Sequence, residues 1–219
     1  MAKRSIFEEV GSDTPKQAAK TGLIDAAGQG ARGPIRVWLL ILFALVVAMI
    51  LIGGLTRLTD SGLSITEWAP FAGAIPPLSV ADWQVQFTAY QATDEFRLEN
   101  SAMSLEQFKT IFWWEWGHRQ LGRLIGLVWA IGFFGFLATK RIPRGWTGRL
   151  LGLGVLGGLQ GAVGWWMVRS GLGTGAVDVA SYRLAVHLGL AFVILGLIAW
   201  YVLRLARTAC EAGGTASAV

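Results

Sequence analysis

Four long apolar runs constrain this chain more than any other feature. Val37–Leu55, Leu150–Met167 and Leu184–Leu203 carry no formal charge. A helix needs about 20 apolar residues, at about 1.5 Å each, to cross a bilayer. The remaining run, Leu124–Ala138, covers only about 22 Å as a helix, short of a hydrocarbon core about 30 Å thick. To span, that helix must extend back through Arg123, Arg119, His118 and Glu115. Length alone therefore draws ionisable groups to the membrane edge. Only 15% of the 219 residues are charged, against about 25% in a soluble domain.

The expected fold is all-α: an integral membrane four-helix bundle with short amphipathic helices in a long outer loop. The boundaries are a flexible tail over 1–36, a transmembrane domain over 37–205 and a second tail over 206–219. The spans fall at about 37–55, 113–139, 150–167 and 184–203, with the outer loop at 56–112.

Lysine and arginine counts orient the bundle. Six precede the first run, four lie in Lys140–Arg149 and two follow Leu203, whereas Thr56–Thr110 holds three against seven acids. Both termini are expected on the cytoplasmic side. Trp113, Trp114, Trp116, Trp165 and Trp166 then mark the outer interface, and Trp38, Trp146 and Trp200 the inner one. The formal charge of +5 does not point to nucleic acid, because the basic residues flank apolar runs rather than sharing one soluble face. The single cysteine, Cys210, excludes an internal disulfide, a CxxC motif and a cysteine zinc site. No cleavable signal peptide is expected, and acids in the leader (Glu8, Glu9, Asp13) favour a bacterial protein over a mitochondrial presequence.

The outer loop has turn signals at Pro70 and Pro76-Pro77, and its patterning around Ser79–Tyr90 and Ser104–Ile111 suits short surface helices. A weak repeat links Ser61-Gly62-Leu63 after the first span with Ser170-Gly171-Leu172 after the third. A histidine-bearing helix follows each, as in a duplicated helical hairpin. In the third span Gly154/Gly158 and Gly157/Gly161 stand at i,i+4, the spacing of close helix packing or of room left for a flat macrocycle.

The chain has two histidines, His118 and His187, and both fall in membrane helices running the same way. Counted from the inner ends, their depths differ by about 7 Å, within the uncertainty of boundaries read from sequence. Two imidazoles at one depth suit axial ligation of a haem iron. Zinc fits less well, since it wants four ligands and only Glu115 is near. The plainer alternative is that each histidine bonds a neighbouring helix. Glu115 shares a helical face with His118. It either pairs with Arg119 at i,i+4 or acts as an acid or base beside the bound group, with its pKa raised by burial. Gly122 and Gly126 leave the strip beneath His118 bare, for a porphyrin plane or for helix packing. Arg57, Arg119, Arg123, Arg169 and Arg183 sit near the outer boundary, where they anchor the interface or meet haem propionates.

Several stretches resemble the haem A synthase family. They are Gly53-Gly54-Leu55-Thr56-Arg57-Leu58-Thr59-Asp60-Ser61-Gly62-Leu63-Ser64 with Glu67-Trp68 and Pro70, Trp114-Glu115-Trp116-Gly117-His118-Arg119-Gln120-Leu121-Gly122-Arg123, Gly158 to Leu172, and Tyr182 to Leu188. The resemblance covers roughly Arg36–Arg204, the amino-terminal four-helix half of such proteins. The absence of a cysteine pair in the first outer loop is similar to the proteobacterial and mitochondrial branch. The resemblance implies oxidation of the C8 methyl of haem o to a formyl group, giving haem a for cytochrome oxidase. It implies His118 and His187 as the haem ligands and Glu115 as the carboxylate of the oxidation. It further implies haem o as substrate, haem o synthase and oxidase assembly proteins as partners, and a bacterial inner-membrane location. A second half with its own histidine pair for haem b is expected of the family and absent here, so the chain would join a missing half or another copy of itself. The alternatives are a bis-histidine b-type cytochrome that passes electrons and a non-catalytic haem-binding assembly factor.

Overall fold

The computed structural model describes residues 32–173 and 175–207. Most of both tails, with Cys210, lies outside the described residues. The chain forms α1 (Arg32–Leu58), α2 (Val80–Gln91), α3 (Asp94–Leu98), α4 (Leu105–Ala138), α5 (Thr147–Val168) and α6 (Ser181–Ala206), with a single 3-10 turn at Ala72–Ala74. Among the described residues there is no strand. Helices α1, α4, α5 and α6 are each long and apolar enough to cross a membrane. The protein is a multi-pass helical membrane bundle.

Helix α1 begins at Arg32 rather than near Val37. Pro34 falls in its first turn, where a missing N–H costs nothing. Helix α4 runs for 34 residues, and the surface helix expected at Ser104–Ile111 is its first two turns. A capping box starts it: Gln107 N–H donates to the Ser104 hydroxyl at 3.4 Å, and Ser104 N–H donates to the Gln107 side chain at 2.8 Å. No proline follows before Ala138 to stop it. A second capping box, Ser79 with Asp82, opens α2.

The four spans form a ring in which α1 and α5 each pack against both α4 and α6. Two indoles tie neighbouring helices. Trp38 Nε1 donates to the Val128 carbonyl at 2.9 Å, and Trp129 Nε1 to that of Leu150 at 3.0 Å. Each indole lies flat on a glycine, Gly132 or Gly154, where any side chain would collide with the ring.

The buried side chains fall into two layers. One lies toward the ends of the spans nearest the 139–146 link and holds Ile35, Leu39, Leu42, Phe133, Leu150, Ile194 and Ile198. The other, under the long loop, stacks Phe87, Tyr90, Phe108 and Phe112. Between them no residue of 47–55, 116–132, 154–168 or 181–190 is buried, and Ile125, Trp129 and Leu156 there are partly buried against the first layer.

Candidate functional site

Both histidines stand in that half-buried layer. They lie 20 and 19 residues from the ends of their helices at Ala138 and Ala206, which puts them within about 2 Å of one depth.

Each imidazole rests on a glycine of the preceding span. A Cβ on Gly53 of α1 would stand 2.9 Å from His118 Cε1, and one on Gly164 of α5 would stand 2.8 Å from His187 Cε1. In both cases Nδ1 is nearer the glycine than Nε2 is. Both Nδ1 atoms are buried and have no hydrogen-bond partner. The hairpin repeat seen in the sequence is therefore carried into the site as two glycine–histidine pairs. The repeated tripeptides also meet: the Leu63 side chain fills the space that a Cβ on Gly171 would take, at 2.8 Å.

The pairs differ in one respect. The Gln160 amide donates to the His187 carbonyl at 3.0 Å and stands 3.5 Å from His187 Nε2, while its buried Oε1 has no partner. His118 has no such neighbour among the described contacts. Gln160 is the only strongly polar side chain in its apolar run, a signal available in the sequence but unused there.

Glu115 is buried at 3% exposure, and donors surround both its oxygens. Oε2 accepts from the Ser64 hydroxyl and from Ile65 N–H, each at 2.7 Å. Oε1 accepts from Arg119 Nε at 3.0 Å and from a second Arg119 nitrogen. Arg119 also donates to the carbonyls of Ile65 and Glu67 at 2.8 and 2.9 Å. The Glu115–Arg119 ion pair thus clamps residues 64–67 onto α4. Asp60, left-handed at φ 47°, turns the chain back from α1 toward that clamp.

Most of the arginines named from sequence have partners. Arg57 pairs with Asp60 at 3.2 Å and Asp178 at 3.0 Å. Arg123 donates to the Pro70 and Ala69 carbonyls, and Arg183 donates to the Trp166 carbonyl and stacks on that indole. Arg169 is exposed, and its side chain makes no hydrogen bond or ion pair with the described residues. Gly122 lies under the Met49 methyl, and a Cβ there would be 3.3 Å from it. Gly126, Gly157, Gly158 and Gly161 would meet nothing within 4 Å, so helix packing does not require a glycine at any of them.

A buried carboxyl went unnoticed in the sequence. Glu95, in the first turn of α3, is 4% exposed, and one of its oxygens has no partner. Burial, and then the carboxylates of Glu115, Glu99 and Asp60, push it up to about 7. It stood among seven loop acids with no local pattern to mark it.

Side chains alone do not cage a metal: no three His, Cys, Asp or Glu converge among the described residues. A porphyrin brings four equatorial nitrogens and asks the protein only for axial ligands. Two imidazoles at about one depth, each with Nδ1 turned to its glycine and Nε2 the farther nitrogen, fit that demand. A separate cavity of about 340 Å³ beneath the loop, lined by Ile65, Glu67, Asp82, Arg119 and Arg123 among others, includes neither histidine.

The sequence profile of the cytochrome oxidase assembly protein family matches residues 36–218. The chain is similar to proteins named heme A synthase, over 94–95% of its own length. The relative from Dinoroseobacter shibae is 69% identical over 207 residues, 54% of its length. That from Ruegeria pomeroyi is 67% identical over 209 residues, and that from Paracoccus denitrificans 63% over 209, in each case 55% of the relative. The chain spans about half the length of the curated relatives it matches. No solved structure matches it at a significant level. With two histidine-bearing hairpins packed into one bundle and a profile match over most of its length, the chain belongs to the cytochrome oxidase assembly protein family.

Proposed function

We propose that this chain is the haem-holding half of a haem A synthase, with haem o as substrate and haem a as product. The observation that supports it most is the pair of matched glycine–histidine contacts at one depth, in a protein 61–69% identical to heme A synthases. His118 and His187 would hold the haem, whose iron would supply the redox chemistry for oxidising the C8 methyl to a formyl group. The protein's own residues bind and orient. Gly53 and Gly164 fix the imidazoles, and the layers above and below exclude water. Arg169 is free for a propionate, while Arg57, Arg119, Arg123 and Arg183 would each have to exchange a partner. Glu115 holds residues 64 and 65 against α4 through Arg119, Ser64 and Ile65. The second haem site, for haem b, is proposed to come from a further half or a second copy. The reading places the chain in a bacterial inner membrane with both termini cytoplasmic, next to haem o synthase and the oxidase assembly machinery.

The saturation of Glu115 favours a second reading, a bis-histidine membrane cytochrome in which this carboxylate is only structural. One experiment separates the two. The purified chain is examined by optical spectroscopy and pyridine haemochrome, with chromatographic identification of bound haem. Low-spin haem o or a, lost in His118→Ala and His187→Ala, supports the synthase. Haem b alone, retained in Glu115→Ala, supports the cytochrome.

A further inference from the structure

The stretch Trp68–Ala81 has no charged residue, in a loop that otherwise carries ten. Four of its large side chains stand in the open: Phe71 is 89% exposed, Leu78 79%, Ile75 69% and Trp68 53%. Yet its carbonyls from Ala69 to Ala74 are unusually well satisfied. The carbonyls of Phe71 and Ala72 accept from Ala74 and Ile75 N–H inside the 3-10 turn. Those of Ala69, Pro70, Gly73 and Ala74 accept from α4: the first two from Arg123, the third from Trp116 Nε1 at 3.1 Å, and the fourth from Gln120. Every carbonyl from Ala69 to Ala74 has a protein donor. A loop in water needs none of this, because water satisfies a carbonyl without cost. Backbone near hydrocarbon must be satisfied by protein.

The donors' depth agrees. From the end of α4 at Ala138, Arg123, Gln120 and Trp116 lie about 22, 27 and 33 Å along the helix. They straddle the edge of a core about 30 Å thick, and any tilt of α4 moves them further in. Gly73 lets the loop sit this close, since a Cβ there would be 2.9 Å from the Arg123 guanidinium.

We propose that residues 69–75 are a membrane-embedded loop whose apolar side chains enter the acyl region of the leaflet on the long-loop side, held there by Trp116, Gln120 and Arg123. The partner surface is lipid, which takes uncharged apolar side chains and offers the backbone no hydrogen bonds. The lateral wall of the bundle beside α4 is then completed by loop and lipid together. The inference does not depend on what the histidines bind.

The test is spin-label accessibility on the full chain in phosphatidylcholine nanodiscs. Labels go at Phe71→Cys and Ile75→Cys in a Cys210→Ser background, with exposed Leu98→Cys of α3 as the aqueous control. Oxygen, which concentrates in lipid, is expected to relax the Phe71 and Ile75 labels several-fold more effectively than a water-soluble nickel chelate, with the reverse at Leu98. Adding Gln120→Ala, which frees the Ala74 carbonyl, is expected to raise nickel access at Ile75. Nickel access at Phe71 and Ile75 equal to that at Leu98 would overturn the proposal in favour of an aqueous loop. Protection from both reagents would overturn it in favour of burial against protein. Bromine-labelled lipids that quench a fluorophore at the same cysteines supply an independent readout: strong quenching supports the embedded loop, and none overturns it.

Discussion

Substituting Gly53 by alanine is the sharpest probe of the site. The new methyl would sit 2.9 Å from His118 Cε1, where unstrained carbon contacts lie at about 3.5–4.0 Å. The imidazole must therefore retreat by roughly 0.6–1 Å or rotate. An iron–nitrogen bond is far less tolerant than that, and disturbing the support of a metal-bound histidine typically weakens metal affinity about 10–100-fold, or about 1.4–2.8 kcal/mol. The helix itself does not suffer, because alanine is favoured over glycine by about 0.8–1.0 kcal/mol in a helix interior. Gly164→Ala should act alike on His187, from 2.8 Å. Gly54→Ala and Gly135→Ala, where a Cβ meets nothing within 4 Å, are the controls. The assay is haem titration of the purified chain, followed by the Soret band and low-spin electron paramagnetic resonance. Gly53→Ala and Gly164→Ala should bind more weakly and shift toward high spin, with both controls unchanged. Binding and spin state indistinguishable from the parent in both variants would refute the reasoning, even if the parent binds haem well.

Glu115→Ala leaves Arg119 without its counter-ion and Ser64 and Ile65 without an acceptor, so the clamp should lose about 3–5 kcal/mol; hydrogen exchange at residues 61–67 should speed up sharply, and Glu115→Gln should fall between the two. Glu95 is raised to about 7 from 4.5, so the folded protein holds a proton that the unfolded chain has lost; its stabilisation is complete below pH 4.5 and should decline by about 3 kcal/mol as pH rises to 7. Melting followed from pH 5 to 8 should show that decline, and Glu95→Gln should flatten it. Gln160→Ala removes the donor to the His187 carbonyl but leaves His118 untouched, so the haem spectrum should change as in Gly164→Ala but more weakly.

Sequence alone determined the membrane class and the four long apolar helices. These follow from apolar run length and helical rise, which are local quantities. The shortness of Leu124–Ala138 was enough to extend its helix back through His118, as α4 does. The repeated Ser-Gly-Leu was visible, but its meaning was not: only the fold brings Leu63 onto Gly171 and sets a glycine under each histidine, and these contacts join residues 65 and 23 positions apart (Gly53–His118, Gly164–His187). Glu115 was legible as a pair with Arg119 because i,i+4 neighbours meet on any helix. Its other donors, Ser64 and Ile65, lie about 50 residues away and come from a loop whose path depends on tertiary packing. For the same reason the arginines near the boundary were found and their partners were not. A guanidinium on a helix end is fixed by sequence, whereas the carbonyls it meets belong to whichever segment the fold lays beside it.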